Sequence, residues 1–240
     1  MPSVYNPFTR LSENYTSTHY PSVMRESFHE ELDSIRTSLV HMAKLVEEAM
    51  SKATSALLTT NLGLAEEVIQ QDSVIDTIQH DLDNKAINLM ARQQPVASDL
   101  RTLVTGLRMS ADLERMGDLA DHIAKLARMR YPGCAVPAEL QSTIEDMGKV
   151  ATHIINKMSS VIEHRDIARA LEIEIDDDEM DILHRKIIST LLDDVWQHGI
   201  ETAIDMTLLA RYYERCADHA VSIARRVYFL VTGEYAPAKA

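Results

Sequence analysis

Residues 25–59 read RESFHEELDSIRTSLVHMAKLVEEAMSKATSALLT. Phe28, Leu32, Ile35, Leu39, Met42, Leu45, Val46, Ala49, Ala53 and Leu57 recur along this stretch at steps of three and four. That spacing draws one apolar stripe down a helix. Asn61-Leu-Gly63 interrupts the stripe. A second helix is expected over 64–92, stopping before Pro95. A third starts at Ser98-Asp99, a candidate N-cap, and runs to residue 130. Residues 131–137, YPGCAVP, form a linker with two prolines. Beyond it the pattern returns, with helices expected over 138–163, 166–195 and 199–232. A helix of about 30 residues is about 45 Å long. The reading is an all-α protein of two tandem three-helix bundles, six long helices related by internal duplication. The units run over 24–131 and 137–235.

Composition agrees. Only 7 Gly and 7 Pro occur in 240 residues, which disfavours turn-rich β folds. With 3 Phe, 8 Tyr and 1 Trp, the core must be mostly aliphatic, supplemented by 12 Met. The net charge of −13 argues against nucleic acid, whose binding rests on phosphate neutralisation, and against a basic membrane-surface patch. The two cysteines, Cys134 and Cys216, form no CxxC pair, and a reducing cytoplasm is the simplest compartment. No apolar run is long enough to span a bilayer. Residues 1–23, with 3 of the 7 Pro and 4 aromatics, read as a loose arm, and Met24 as a possible natural start.

Aligning the halves brings out the duplication. At an offset of 100, Glu114, Arg115, Asp118, Ala120, Ile123 and Ala124 match Glu214, Arg215, Asp218, Ala220, Ile223 and Ala224. At an offset of 105, Ala65, Glu67, Asp72 and Asp76 match Ala170, Glu172, Asp177 and Asp181. Much of what repeats is charged, and a purely structural repeat has less reason to keep charges.

Each half thus holds two acid-xxx-acid pairs, and residues four apart share a helix face. If the second and third helices form an antiparallel hairpin centred on Pro95, Asp76 and Glu114 lie 19 residues either side of it. Asp72 and Asp118 lie 23 either side. In the second half Asp181 with Glu214, and Asp177 with Asp218, are centred in the same way between Gln197 and Gly199. Four carboxylates at one height cannot all stay ionised in a partly dry site without counter-charge. Arg115 and Arg215 supply one positive charge each, which is insufficient. A multivalent cation is the natural compensator, and an all-oxygen site favours magnesium, manganese, calcium or ferric iron. Asp121 shares the face of Glu114 and is a candidate helper. The bland alternative is that these acids sit on a solvated face of an acidic protein.

Other residues read as structural. His80, His122, His184 and His219 read as surface or satisfied histidines. Cys216 reads as small core filler, and the Met residues as core packing. Within Asp176-Asp177-Asp178-Glu179 only Asp177 fits the constellation. No Gly-rich phosphate loop or nucleophile elbow occurs.

Four segments carry a family resemblance: Arg92-Gln-Gln-Pro-Val-Ala-Ser-Asp-Leu-Arg101, Glu114-Arg-Met-Gly-Asp118, Glu214-Arg-Cys-Ala-Asp-His219 and Ala224-Arg-Arg-Val-Tyr-Phe-Leu-Val-Thr-Gly-Glu234. They resemble the PhoU family of phosphate-transport accessory proteins, over about residues 24–235. The resemblance implies two three-helix bundles with pseudo-twofold symmetry. It implies iron, manganese, magnesium or zinc on the acidic motifs, which fall on Asp72, Asp76, Glu114 and Asp118, and on Asp177, Asp181, Glu214 and Asp218. It further implies a homodimeric negative regulator linking a phosphate ABC transporter, through its ATPase, to a sensor histidine kinase. Two features depart from the family: the N-terminal arm, and Ala217 where the first half has Gly117. The rival functions are a carboxylate-bridged metalloenzyme and a purely structural helical interaction module. No nucleophile or general base stands out, so a non-enzyme is expected.

Overall fold

The computed structural model describes residues 20–237. It contains six α-helices: α1 (Tyr20–Thr59), α2 (Leu62–Gln93), α3 (Ala97–Arg130), α4 (Ala138–His164), α5 (Ile167–Leu191) and α6 (Gly199–Thr232). No helix among the described residues is long and apolar enough to cross a membrane.

Helices α1, α2 and α3 pack on one another, as do α4, α5 and α6. The two trios join through α1 against α4 and α3 against α6. The expected stripe faces this interior: Ile35, Leu39, Met42, Val46, Ala53 and Leu57 of α1 are buried, and one apolar cluster runs through both trios. Met116, Met147, Met180 and Met206 fill it, and so does Cys216.

Helices α2 and α5 touch only the other members of their own trio, and their sequences show why. In α2 the buried Val68, Ile75, Leu82 and Leu89 recur every seventh residue, and in α5 so do Ile173, Met180 and Ile187. A seven-residue period makes a narrow seam, enough for one neighbouring groove and no more. The residues flanking the seam stay at its edge, and Asp72 and Asp76 flank Ile75.

Several helix ends differ from the expectation. Helix α1 begins at Tyr20, so the last four residues of the expected arm belong to it. Residues 1–19, the rest of that arm, lie outside the described residues. Helix α2 begins at Leu62 rather than 64, because Asn61, which interrupts the stripe as expected, caps it by accepting the Leu64 amide at 3.1 Å. Helix α3 starts before Ser98-Asp99, with the Asp99 amide already donating to the Val96 carbonyl. Helix α5 ends at Leu191 rather than 195, because the Asp193 carboxylate takes the Val195 amide, a local bond that competes with helix continuation.

Candidate metal centre

In the first half, α2 and α3 bring Asp72, Asp76, Glu114 and Asp118 into electrostatic reach of one another. Burial, followed by the charges of Asp121, Asp76 and Asp118, pushes the Asp72 carboxyl up to about 6. Glu114 is raised by burial and by Asp118, with Arg115 opposing. The helices can approach here because Gly117 has no side chain. A Cβ on it would stand 3.0 Å from Ile75 Cδ1 and 3.5 Å from Asp72 Oδ1.

The cations present are fewer than the acids. Arg115 bonds Asp118 at 2.7 Å and lies 3.7 Å from Glu114. Lys125 pairs with Asp121, four residues earlier. Asp121 is 2 % exposed, and its Oδ1 is buried with no hydrogen-bond partner. A buried ionised oxygen left without a partner is costly. The Asp121 charge acts on Asp72 more strongly than that of any other acid of this cluster. Lys125 is a member that the repeated acids do not point to, although its i, i+4 spacing from Asp121 is a signal in the sequence.

The second half is built differently. Glu214 is raised by burial and by Asp218, while Arg211 and His184 oppose and Asp181 adds to the rise. The guanidinium on Glu214 belongs to Arg211, not to Arg215. The first-half counterpart of Arg211 is Ala111, which offers no charge, so Arg115 serves there. Asp177 faces the charge of Arg225, the counterpart of Lys125, and Arg225 Nε also bonds Glu174 at 2.5 Å. Where the first half has Asp121, the second has the buried Val221. The two clusters are related in sequence, but inside the first Asp121 Oδ1 is buried without a hydrogen-bond partner, whereas beside the second the buried Asp176 Oδ2 is met by Lys157 Nζ at 2.7 Å.

Among the described residues, no three acidic, histidine or cysteine side chains stand as a ready metal-ligand set. The first-half carboxylates share a neighbourhood without converging on a point, since Arg115 and Lys125 each hold one of them. The donor chemistry nevertheless suits a hard cation: every candidate is a carboxylate oxygen, and Asp121 Oδ1 lacks a partner. Three of the histidines have ordinary surroundings. His219 Nδ1 lies 3.1 Å from Asp112 Oδ1, His122 stacks on Tyr212, and His80 is exposed.

The PhoU domain model matches residues 39–127 and again residues 144–227, once on each trio. The chain belongs to the PhoU family. A PhoU homolog 2 of Mycobacterium tuberculosis, named as a phosphate-specific transport system accessory protein, is 44% identical over 212 residues, covering 88% of this chain and all of that one. A PhoU homolog of Rhizobium meliloti, also named as such an accessory protein, is 31% identical over 86% of this chain and 88% of its own length. The crystal structure of PhoU from Pseudomonas aeruginosa superposes with a TM-score of 0.76 at 27% identity, covering 86% of this chain and 100% of that one. A phosphate transport system regulatory protein PhoU from Streptococcus pneumoniae gives 0.77 at 28% identity, covering 88% of this chain and 99% of the other. The two homologs are named as accessory proteins and the Streptococcus pneumoniae neighbour as a regulatory protein.

Proposed function

We propose that the chain is a negative regulator of phosphate uptake and of the phosphate-starvation response. It acts in the cytoplasm as a metal-loaded, homodimeric adaptor between the ATPase of a phosphate ABC transporter and a sensor histidine kinase. Membership of a family whose relatives are named transport accessory proteins supports the regulatory role. The observation that carries the metal is the buried, unpartnered Asp121 Oδ1 beside Asp72. Asp72, Asp76, Glu114, Asp118 and Asp121 would hold one cation group, and Asp177, Asp181, Glu214 and Asp218 a second. A bound iron, manganese, magnesium or zinc ion supplies positive charge that ties α2 to α3 and α5 to α6. That charge would fix the hairpin surfaces offered to partners.

The test is the double variant Asp118→Ala, Asp218→Ala. Metal content should fall, measured by elemental analysis of protein purified without chelator or histidine tag. Phosphate-starvation genes should be derepressed in cells carrying the variant. Unchanged metal with unchanged repression overturns the site. Lost metal with intact repression separates the metal from the adaptor role.

A further inference from the structure

A cleft of about 480 Å³ lies between the N-terminal half of α3 and the C-terminal half of α6. Two of the four segments that carry the family resemblance meet here, the one ending at Arg101 and the one containing Arg225, Arg226 and Phe229. Neither contributes to the acidic cluster of the first half.

Four guanidiniums line the cleft in a protein of net charge −13: Arg101, Arg108, Arg225 and Arg226. Two are matched. Arg225 Nε bonds Glu174 at 2.5 Å, and Arg226 Nε bonds Asp112 at 2.9 Å. Arg101 and Arg108, two helical turns apart, form no ion pair among the described residues. The Arg101 guanidinium lies 5.2 Å from the Phe229 ring centroid, and Phe229 stacks on Tyr235 with centroids 5.1 Å apart.

The duplication supplies an internal control. The offset of 100 that relates α3 to α6 maps this end of the α3–α6 contact onto its other end. There Arg130 is answered by two acids, Glu201 and Asp205, with Nε 2.6 Å from Asp205 Oδ2. The counterparts of Glu201 and Asp205 at the cleft are Arg101 and Thr105, and Leu230 replaces Arg130. One end of the contact is closed by matched charge. The other carries unmatched positive charge beside a pair of aromatic rings and open volume.

We propose that this cleft binds a nucleotide, with its phosphates on Arg101 and Arg108 and its base against the Phe229–Tyr235 pair. Planar guanidinium forks suit phosphate oxygens, and aromatic faces suit a planar base. The volume falls in the range of small-molecule sites. A bare phosphate would leave the rings and the neighbouring Leu100 and Val104 unused. The phosphates are placed on Arg101 and Arg108, which belong to neither acidic cluster, whereas Arg225 lines this cleft and also faces Asp177 of the second cluster.

The probe is ADP, titrated calorimetrically into the full chain at about 0.1 M salt. Pyrophosphate serves as the control without a base, and adenosine as the control without phosphate. ADP should bind at least about tenfold more tightly than either. Arg108→Ala, at an exposed position, should weaken it about tenfold, as should Arg101→Gln, whereas Arg185→Ala, exposed on α5 away from the cleft, should change little. Melting curves establish that each variant is folded. Absence of ADP binding at about 1 mM overturns the proposal. So does pyrophosphate binding as tightly as ADP, or displacement of ADP by an equal concentration of a tetraglutamate peptide, which would mark the cleft as a docking site for acidic chain.

Discussion

Thr54 Oγ1 and Tyr213 Oη lie 2.8 Å apart across 159 residues of sequence, joining α1 of the first trio to α6 of the second. Both residues are buried, and Thr54 also donates to the Met50 carbonyl at 2.9 Å. Helix α4 closes on the same point. A Cβ on Gly148 would come within 2.5 Å of Thr54 Cγ2. This small polar contact in an apolar core aligns the two halves.

Tyr213→Phe should therefore cost about 1 kcal/mol, the net worth of a buried neutral hydrogen bond. Gly148→Ala should cost about 1–3 kcal/mol through overpacking, because the β-branched Thr54 has little freedom to yield. Thr54→Ala should recover part of that loss in the double variant. Urea unfolding of the single and double variants checks both, and additive losses would show that Thr54 is not the obstacle.

A second joint is Asp112, held by His219 Nδ1 at 3.1 Å and Arg226 Nε at 2.9 Å. Burial alone would raise its pKa, but the hydrogen bonds from His219 and Arg226 outweigh burial and hold it below the ordinary 3.8. A depressed carboxylate contributes stability that is fully present above its unfolded value and is lost as pH falls through its folded value. Asp112→Asn should thus cost about 1–3 kcal/mol at neutral pH, and the gap to the natural protein should close in acid below pH 3.8. Denaturant midpoints measured across that range provide the test, and a gap independent of pH would rule out the linkage.

The two acidic clusters should not be equal. Asp121 in the first faces Asp72 electrostatically, whereas Val221 takes its place in the second. Manganese titration should resolve two affinities differing by about tenfold, with the tighter in the first half. Asp121→Val should bring the two together, and Gly117→Ala should weaken the first site by displacing Ile75, which lies between Asp72 and Asp76 on α2. Two equal affinities in the natural protein would contradict this asymmetry.

Arg130 locks the far end of the α3–α6 contact through Asp205, which is itself 5 % exposed. Arg130→Ala strands that carboxylate, so the melting temperature should fall. Adding Asp205→Asn should recover part of the fall, because the stranded charge is then gone. If Asp205→Asn lowers the melting temperature of Arg130→Ala further, the pair is not what holds this end.

Much of the fold is legible in the order of residues alone. The stripe from Phe28 to Leu57, the prolines at 95, 132 and 137, and the offsets of 100 and 105 define six helices in two related sets. Helix ends are less legible, because they turn on single side-chain bonds, Asn61 capping α2 and Asp193 competing with the continuation of α5. Spacing along α2 and α3 places Asp72, Asp76, Glu114 and Asp118 at one height, since helical rise per residue is constant.

What spacing leaves open is rotation about each helix axis and which residue of another helix fills a given gap. The absent side chain of Gly117 lets α2 approach α3 at Ile75, between Asp72 and Asp76. Arg211, not Arg215, reaches Glu214, and Arg225 faces Asp177 as Lys125 faces Asp72. The unmatched Arg101 and Arg108 become visible only when α3 crosses α6 and the opposite crossing proves to be ion-paired. Local periodicity, a property of consecutive residues, determined the elements and the heights of their charged groups. Charge balance and burial depend on which faces meet, and packing alone decided that.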